Sequence, residues 1–324
     1  MANKFYRGQR FLSRFRLWKS EKENSALNEE NIKNRELSEE ALQLLEILGK
    51  ENLRVKEFLI NNYKGLPVSP EMEEAAYKYS ITHSAIFAAT TSNPGTSVLT
   101  EFLYEGIPSP PPLDNYFLQS KAGKAVKARL IAIEEKLPKI IEEYRSKGDV
   151  LIGNLGSGPG RDVIDTFSLY YRNISNVKAI HIEKNITALK KGKRMAVIKG
   201  VDHLIDFVEG NFLKYKPVEK FDIALLIGIL CSLKNEICIN ILKRIKKMLK
   251  KDSCLIVSNA SKKMQKEDPF TCHIMEWGPN WKLVFKDEEE LKQIYEKAGY
   301  TWKGYFLDSY GFHIIGMGIP HFYF

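Results

Sequence analysis

A glycine-rich turn between an apolar strand and an amphipathic segment constrains this chain more than any other feature. Residues 149–155 are mostly apolar, and glycines follow at Gly156, Gly158 and Gly160. Glycine lets the main chain approach a ligand closely and turn its N–H groups outward, because it has no Cβ. The amphipathic stretch 163–171 comes directly afterwards. This order predicts a strand–turn–helix unit that binds a nucleoside-containing cofactor.

The spacing of these glycines leaves two kinds of cofactor in competition. A dinucleotide site has the pattern Gly-x-Gly-x-x-Gly, with a pyrophosphate at the helix start. This chain has Gly-x-Gly-x-Gly, and Arg161 occupies the position of the third glycine. The next apolar segment, residues 177–183, ends in Glu183, which can accept hydrogen bonds from ribose hydroxyls. That acid suits either cofactor.

The order of the later elements distinguishes the two kinds of cofactor. A third predicted strand, 204–208, leads to Asn211 and Phe212, and a fourth, 221–227, ends at Gly228. A fifth, 253–258, follows a basic helix. The predicted closing pair of strands spans 301–307 and 311–319.

With these landmarks the chain resembles the class I S-adenosylmethionine-dependent methyltransferases over residues 120–320. The resemblance implies that the glycine loop touches the methionine part of the cofactor, Glu183 the ribose, Asn211 and Phe212 the adenine, and the turn after the fourth strand the sulfonium. The implied cofactor-binding residues are Asn154, Gly156, Ser157, Gly158, Glu183, Asn211, Phe212, Ile227, Gly228 and Ile229. Asn154 and Asn211 depart from the family, which often has acids there.

The expected fold is α/β: a Rossmann-like, doubly wound, mostly parallel sheet with a closing antiparallel strand, plus an N-terminal all-helical cap domain. Three parts are predicted: a basic then acidic arm at 1–36, the helical cap at 37–112, and the methyltransferase domain at 113–324. The proline-rich segment 106–112 marks the last boundary. The resemblance implies S-adenosylmethionine as the cofactor.

Several helices can be predicted in more detail. One begins near Ser38 and turns Leu42, Leu45 and Leu48 inward. Ser69 and Pro70 start another, which runs to about residue 92 with a buried second half at 81–89. A long helix is expected over 115–145. Residues 260–285 are expected to be irregular and to border the acceptor pocket.

Composition excludes several classes of protein. The 324 residues carry a net charge of +9, no apolar run is long enough to span a bilayer, and no signal peptide is evident. The four cysteines show no Cys-x-x-Cys spacing, and the histidines show no metal-ligand spacing. We expect a cytoplasmic protein with reduced cysteines and no bound metal.

The methyl acceptor is less well defined. His273, with Glu276 three residues later, is the candidate general base, and Cys231, Trp277, Trp281 and Tyr116 are candidates for the acceptor pocket. A fainter similarity, in the loop 156–162 and the stretch 281–288, is to bacterial methyltransferases that esterify a hydroxy-fatty-acid carboxylate. A carboxylate acceptor would need no base.

Three functions stay open on the sequence alone. The first is O-methylation of a small-molecule, lipid or peptide acceptor enclosed between the cap and the Rossmann-like domain. The second is RNA methylation, in which the basic N-terminal arm and the cluster Lys243–Lys251 would grip phosphates. The third is a non-catalytic protein that binds S-adenosylmethionine and acts through its cap. The cap could also form a homodimer.

Overall fold

The computed structural model describes residues 36–93, 96–279 and 281–322. The predicted arm lies outside these residues except for Glu36. Within the described part, seven helices precede the first strand. They are α1 (Glu39–Glu51), α2 (Leu53–Tyr63), α3 (Pro70–His83), α4 (Ala85–Ser92), α5 (Val98–Glu105), α6 (Pro112–Gln119) and α7 (Lys121–Arg145). We call α1 to α6 the helical layer.

Strands and helices then alternate. The strands are β1 (Val150–Leu155), β2 (Val177–Glu183), β3 (Ile205–Glu209), β4 (Phe221–Leu226), β5 (Leu249–Ala260), β6 (Tyr300–Leu307) and β7 (His313–Pro320). The helices between them are α8 (Arg161–Tyr170), α9 (Ile186–Lys199), α10 (Asn235–Lys246), α11 (Lys262–Glu267), α12 (Pro269–Trp277) and α13 (Glu288–Lys297).

The sheet has the order β3-β2-β1-β4-β5-β7-β6. The pairs among β1 to β5 are parallel, and β7 is antiparallel to both β5 and β6. The chain runs from β1 outward to β3 and then returns to the other side of β1. In such sheets ligands bind at this switch point, beyond the carboxyl ends of the strands. The predicted α/β fold, with its mostly parallel sheet and N-terminal helices, is confirmed.

The two faces of the sheet are covered by different helices. One face packs α7 and α8 on β1 through buried residues such as Ile133, Ile152 and Phe167. The other face packs α10 and α13 through Leu242 and Tyr295. Each large apolar side chain fully buried in this way contributes about 1.5–3 kcal/mol. This packing fixes the strand ends that form the site.

The helix predicted from Ser69 to residue 92 is interrupted at Ser84. The Oγ of Ser84 accepts a hydrogen bond from the Phe87 main chain and donates one to the Asp114 carboxylate, which also accepts from Ala85 N at 2.9 Å. This cap starts a new helix. The prediction that 81–89 is buried is wrong in part, because Ile81 is 38% exposed.

A second predicted helix, 115–145, is interrupted at Ser120. Its Oγ accepts from Gly123 N at 3.1 Å and caps α7, whereas Pro138 stays within α7. In α1, Leu45 and Leu48 are buried as predicted, but Leu42 is exposed and Leu44 is buried in its place. The predicted start at Ser38 is confirmed by its bond from Ala41 N.

The span 260–285, expected to be irregular, contains the helices α11 and α12. The Asp268 side chain caps α12 by accepting from Thr271 N, and it also accepts from Ala122 N of α7 at 2.8 Å. The aromatic face of α12 then packs into the helical layer. The ring centroids of Trp277 and Phe58 are 4.9 Å apart.

The helical layer therefore continues past the predicted boundary at residue 112. Leu113, Tyr116 and Phe117 of α6 belong to the same core as α1 and α2. The three predicted domains and the dimer through the cap stay predictions. No helix in the described ranges is long and apolar enough to cross a membrane.

Candidate functional site

A cavity of about 620 Å³ lies at the switch point of the sheet. The glycine turn and the ends of β2 and β4 form one side, and α5, α6, α7 and α12 form the other. Its volume lies within the roughly 300–1,000 Å³ of small-ligand sites.

The ten residues that the sequence predicts to bind a cofactor all line this cavity. They are Asn154, Gly156, Ser157, Gly158, Glu183, Asn211, Phe212, Ile227, Gly228 and Ile229. They come from four different strand ends, so only the sheet order could bring them together. Their contacts with a cofactor stay a prediction.

The glycine turn lies very close to neighbouring side chains. Gly156 and Gly158 have φ angles of 62° and 56°. A Cβ on Gly156 would lie 2.4 Å from Cδ1 of Ile229, and one on Gly158 would lie 3.0 Å from Cβ of Ser97. Side chains at these two positions would fill the cavity wall.

The prediction that the amides of this turn face the ligand is wrong. The N–H groups of Gly156 and Ser157 donate to the carbonyl oxygen of Ile182, and the N–H of Gly158 donates to the Glu183 carboxylate at 2.9 Å. These bonds hold the turn against β2. The turn therefore offers a ligand its surface without side chains rather than free amide donors.

Glu183 is buried at the end of β2. One carboxylate oxygen accepts from Gly158 N and the other from Asn185 N at 2.8 Å. A carboxylate has about four acceptor positions, so it can still accept from hydroxyls in the cavity.

Asn154 replaces the acid that the family often has, and the structure supplies an acid beside it. Its Nδ2 donates to Asp162 Oδ1 at 2.9 Å. Both residues line the cavity. Burial raises the pKa of Asp162 above its usual range, although bonds from Val163 N and Asn154 oppose this.

Arg129 of α7 is a cavity residue that the sequence did not single out. It is 6% exposed, and its guanidinium Nη2 donates to the Tyr104 hydroxyl at 3.2 Å. Among the described residues no carboxylate forms an ion pair with it, and its Nε has no hydrogen-bond partner. A Cβ on Gly228 would lie 3.5 Å from Nη1. A buried cation without an acidic partner favours an anionic group in the cavity.

Helix α5 covers the glycine turn, and ion pairs among four charged residues join it to α8 and α9. Lys191 Nζ lies 2.6 Å from Glu101 and 2.7 Å from Glu105. Arg161 Nη2 lies 2.8 Å from Glu105 and 3.5 Å from Glu101. The helical layer thus closes the cofactor side of the cavity.

Only two of the four residues predicted for the acceptor pocket line the cavity. Cys231 and Trp281 line the cavity, whereas Tyr116 and Trp277 do not. Burial raises the pKa of the Cys231 thiol, so the thiol stays protonated. Tyr116 bonds Thr271 Oγ1 at 2.6 Å within the core.

His273 and Glu276 share a face of α12 but do not line the cavity. The His273 ring contacts Tyr63, at 5.5 Å between centroids, and Glu276 forms an ion pair with Lys282 at 3.5 Å.

A different histidine lines the cavity. His313, at the start of β7, is 4% exposed, and its Nδ1 lies 3.1 Å from Oδ2 of the buried Asp308. Burial lowers the pKa of His313 to about 4, and the nearby Arg129 charge acts in the same direction. No sequence motif marked this pair.

Comparisons with known proteins agree with this geometry. A family model described as a methyltransferase domain matches residues 146–299. A search of curated proteins gives no match.

Similar folds occur among solved structures. A possible exported protein from Bordetella parapertussis is 15% identical, with a TM-score of 0.63, and the match covers 88% of this chain and 98% of that one. The pyocyanin biosynthetic protein PhzM is 11% identical (TM-score 0.54; 87% and 74% covered). Magnesium protoporphyrin IX methyltransferase from Synechocystis PCC 6803, solved with bound SAH, is 12% identical (TM-score 0.50; 62% and 88% covered). The matched model and the sheet order show that residues 146–299 form a methyltransferase domain of the S-adenosylmethionine-dependent, class I type.

Proposed function

We propose that the chain is an O-methyltransferase that holds a small, mostly apolar acceptor beside Gly228. One observation carries this proposal: the cavity lined by the ten predicted cofactor residues continues between the helical layer and α12. Its walls there are apolar, with Phe117, Val126, Met264, Met275 and Leu283. Enclosed apolar pockets with few polar groups are typical of small-molecule sites.

The residues present fit S-adenosylmethionine. Glu183 can accept from the ribose hydroxyls, and Phe212 offers a ring to the adenine. The buried Arg129, with its unbonded Nε, can pair with the carboxylate of the methionine part, and Asp162 can accept from its ammonium group.

Methyl transfer from a sulfonium needs little from the protein beyond geometry. The leaving group is neutral, so alignment of acceptor and methyl and exclusion of water supply most of the effect. The apolar walls and the cover of α5 serve both purposes.

The RNA alternative receives less support. The Lys243–Lys251 cluster lies at the end of α10 and the start of β5, whereas the cavity lies at the carboxyl end of that 12-residue strand. The register with β4 is irregular between Leu249 and Cys254, so the strand advances by only about eight residue steps. At about 3.3 Å per step, the two are roughly 25 Å apart. Lys250 is also paired with Glu219 and Asp222. Residues 1–35 of the arm lie outside the described part of the chain.

Calorimetry with S-adenosylhomocysteine, the product of the donor, tests the cofactor site. Glu183→Gln should weaken binding about 10- to 100-fold, because a charge-assisted hydrogen bond is worth roughly 1.5–3 kcal/mol. Glu209→Gln is the matched control, since Glu209 pairs with Glu183 in register at the end of β3 but does not line the cavity. Absence of binding by the unmodified protein, or equal losses in both variants, would overturn the assigned site. Binding without methyl transfer to any cell extract would instead favour the non-catalytic alternative.

A further inference from the structure

The cavity contains a buried imidazole–carboxylate pair that the cofactor site does not use. His313 lines the cavity, whereas Asp308 does not. The Asp308 carboxylate lies next to Nδ1 of His313. Because a carboxylate only accepts, Nδ1 carries the proton and Nε2 keeps its lone pair. Within the described ranges no group hydrogen-bonds to Nε2. The pair therefore presents a proton acceptor to the cavity.

The pair lies close to the turn that the resemblance places beside the sulfonium. Gly228 N donates to Ser258 Oγ of β5 at 2.9 Å. His313 is opposite Ala260, two residues further along β5. Gly228 follows β4, which is two strands from β7 in the sheet. With about 4.8 Å between strands and about 3.3 Å per residue along a strand, the main chain of His313 is roughly 10–12 Å from Gly228. An acceptor next to Gly228 can span that gap.

We propose that His313 is the general base of this enzyme, positioned by Asp308, and that the acceptor is a hydroxyl group rather than a carboxylate. This inference rests on the proposed function. The hydroxyl oxygen attacks the methyl carbon as its proton passes to Nε2 of His313. The new O–C bond forms, the S–C bond breaks, and sulfur keeps the electron pair of that bond. The imidazolium that results is stabilised by Asp308 and later returns its proton to water.

The surroundings of His313 fit this role. The charged groups that act on its pKa are Asp308, which raises it, and Arg129, which lowers it. Burial and Arg129 prevail, so His313 is neutral at neutral pH and available as a base. An anion paired with Arg129 would remove part of the opposing charge and strengthen the base when the site is filled. A carboxylate acceptor is already an anion and would need no general base.

The first test uses methyl-labelled S-adenosylmethionine and a small-molecule extract of the cells that make the protein. We expect the label in an alkali-stable methyl ether. Label in an alkali-labile ester would overturn this inference and leave the proposed O-methylation standing. No transfer to any fraction, by a protein that binds S-adenosylhomocysteine, would overturn both.

The second test uses His313→Gln with the labelled fraction as substrate. The rate should fall about 100-fold or more, the usual effect of losing a general base. S-adenosylhomocysteine affinity and thermal stability report whether the variant is folded, and the exposed His203→Gln is the control. A folded His313→Gln variant that keeps its rate would overturn the inference.

Asp308 is tested as a positioning residue by nitrogen NMR of His313. The unmodified protein should show the proton on Nδ1 at neutral pH. Asp308→Asn should shift the proton toward Nε2 and lower the rate in parallel, because the lone pair would then face away from the acceptor. A normal rate with the shifted tautomer would contradict the assignment.

Discussion

Gly156 shows how a single missing Cβ shapes the cofactor side of the cavity. Its φ of 62° lies in the left-handed region, and an added Cβ would lie 2.4 Å from Ile229 Cδ1. Ile229 would have to turn aside, and it is itself a predicted cofactor contact. We expect Gly156→Ala to weaken S-adenosylhomocysteine binding by about 10-fold or more, since about 1.4 kcal/mol is tenfold.

Gly200 provides the matched control for this substitution. Its φ is 69°, but an added Cβ would have no atom nearer than 3.8 Å, and it follows α9 outside the cavity. Each of the two substitutions should lower the unfolding free energy by roughly 1–2 kcal/mol, because alanine is strained in the left-handed region. Only Gly156→Ala should change affinity in calorimetry. Equal affinities in the two variants would show that the turn does not contact the ligand.

Residues differ in how far the sequence reveals them. The glycines of the turn and Glu183 could be found because local spacing defines them, and the family resemblance supplied the other cofactor residues. All ten line the cavity. Arg129 and His313 could not be found in this way. Arg129 is one of several basic residues on a long helix, and only the packing of α7 against Gly228 buries it. His273 follows β5, where the acceptor pocket is predicted, but α12 turns its ring toward Tyr63.

At the scale of elements, the strands were easier to predict than the helix breaks. Each predicted strand overlaps an observed one, because apolar runs bounded by turns are a local signal. The breaks at Ser84 and Ser120 depend on capping, and the cap at Ser84 needs Asp114 from thirty residues away. Such a partner is invisible until the fold is formed.

The contact between α7 and α8 carries a prediction of its own. Burial, together with the negative charge of Asp165, raises the pKa of Glu134 to about 8. Lys199 of α9 pairs with Asp165 at 3.0 Å and only partly offsets this. The unfolded pKa is about 4.3, so the folded chain holds a proton that the unfolded chain has lost between these values. The stability from this protonated group is complete below about pH 4.3 and is lost as the pH rises through about 8.

Glu134→Gln cannot ionise and should escape this loss. In urea unfolding, the stability of the variant relative to the unmodified protein should increase between pH 5.5 and pH 8. The increase should be on the order of 1 kcal/mol, because solvent screens a partly exposed pair. Glu135→Gln is the control, since Glu135 is exposed on the same helix. A pH-independent difference for Glu134→Gln would mean that the two carboxyls do not share a proton.

At the scale of the whole molecule, the helical layer and the sheet share one core through α12. This helix follows β5 in the chain, yet Phe270, Ile274 and Trp277 are buried against α2 and α4. The ion pairs of α5 with Lys191 and Arg161 join the same two parts on the cofactor side. The sequence predicted a cap and a Rossmann-like domain but not this insertion, because 260–285 has no clear helical pattern.

We therefore expect the layer and the sheet to unfold together. Trp277 is 8% exposed, packs on Phe58 and Phe87, and donates from Nε1 to Glu73 at 3.0 Å. Trp277→Ala should lower the unfolding free energy by about 3–5 kcal/mol. Trp277→Phe keeps most of the packing and should lower the unfolding free energy by only about 1 kcal/mol, because it removes the hydrogen bond.

In denaturant, helical circular dichroism and loss of S-adenosylhomocysteine binding should give coincident transitions, and Trp277→Ala should shift both together. Because Trp277 does not line the cavity, affinity in the folded range should be unchanged. Separate transitions would mean that the layer folds independently of the sheet. A loss of affinity would indicate that Trp277 does contribute to the ligand site.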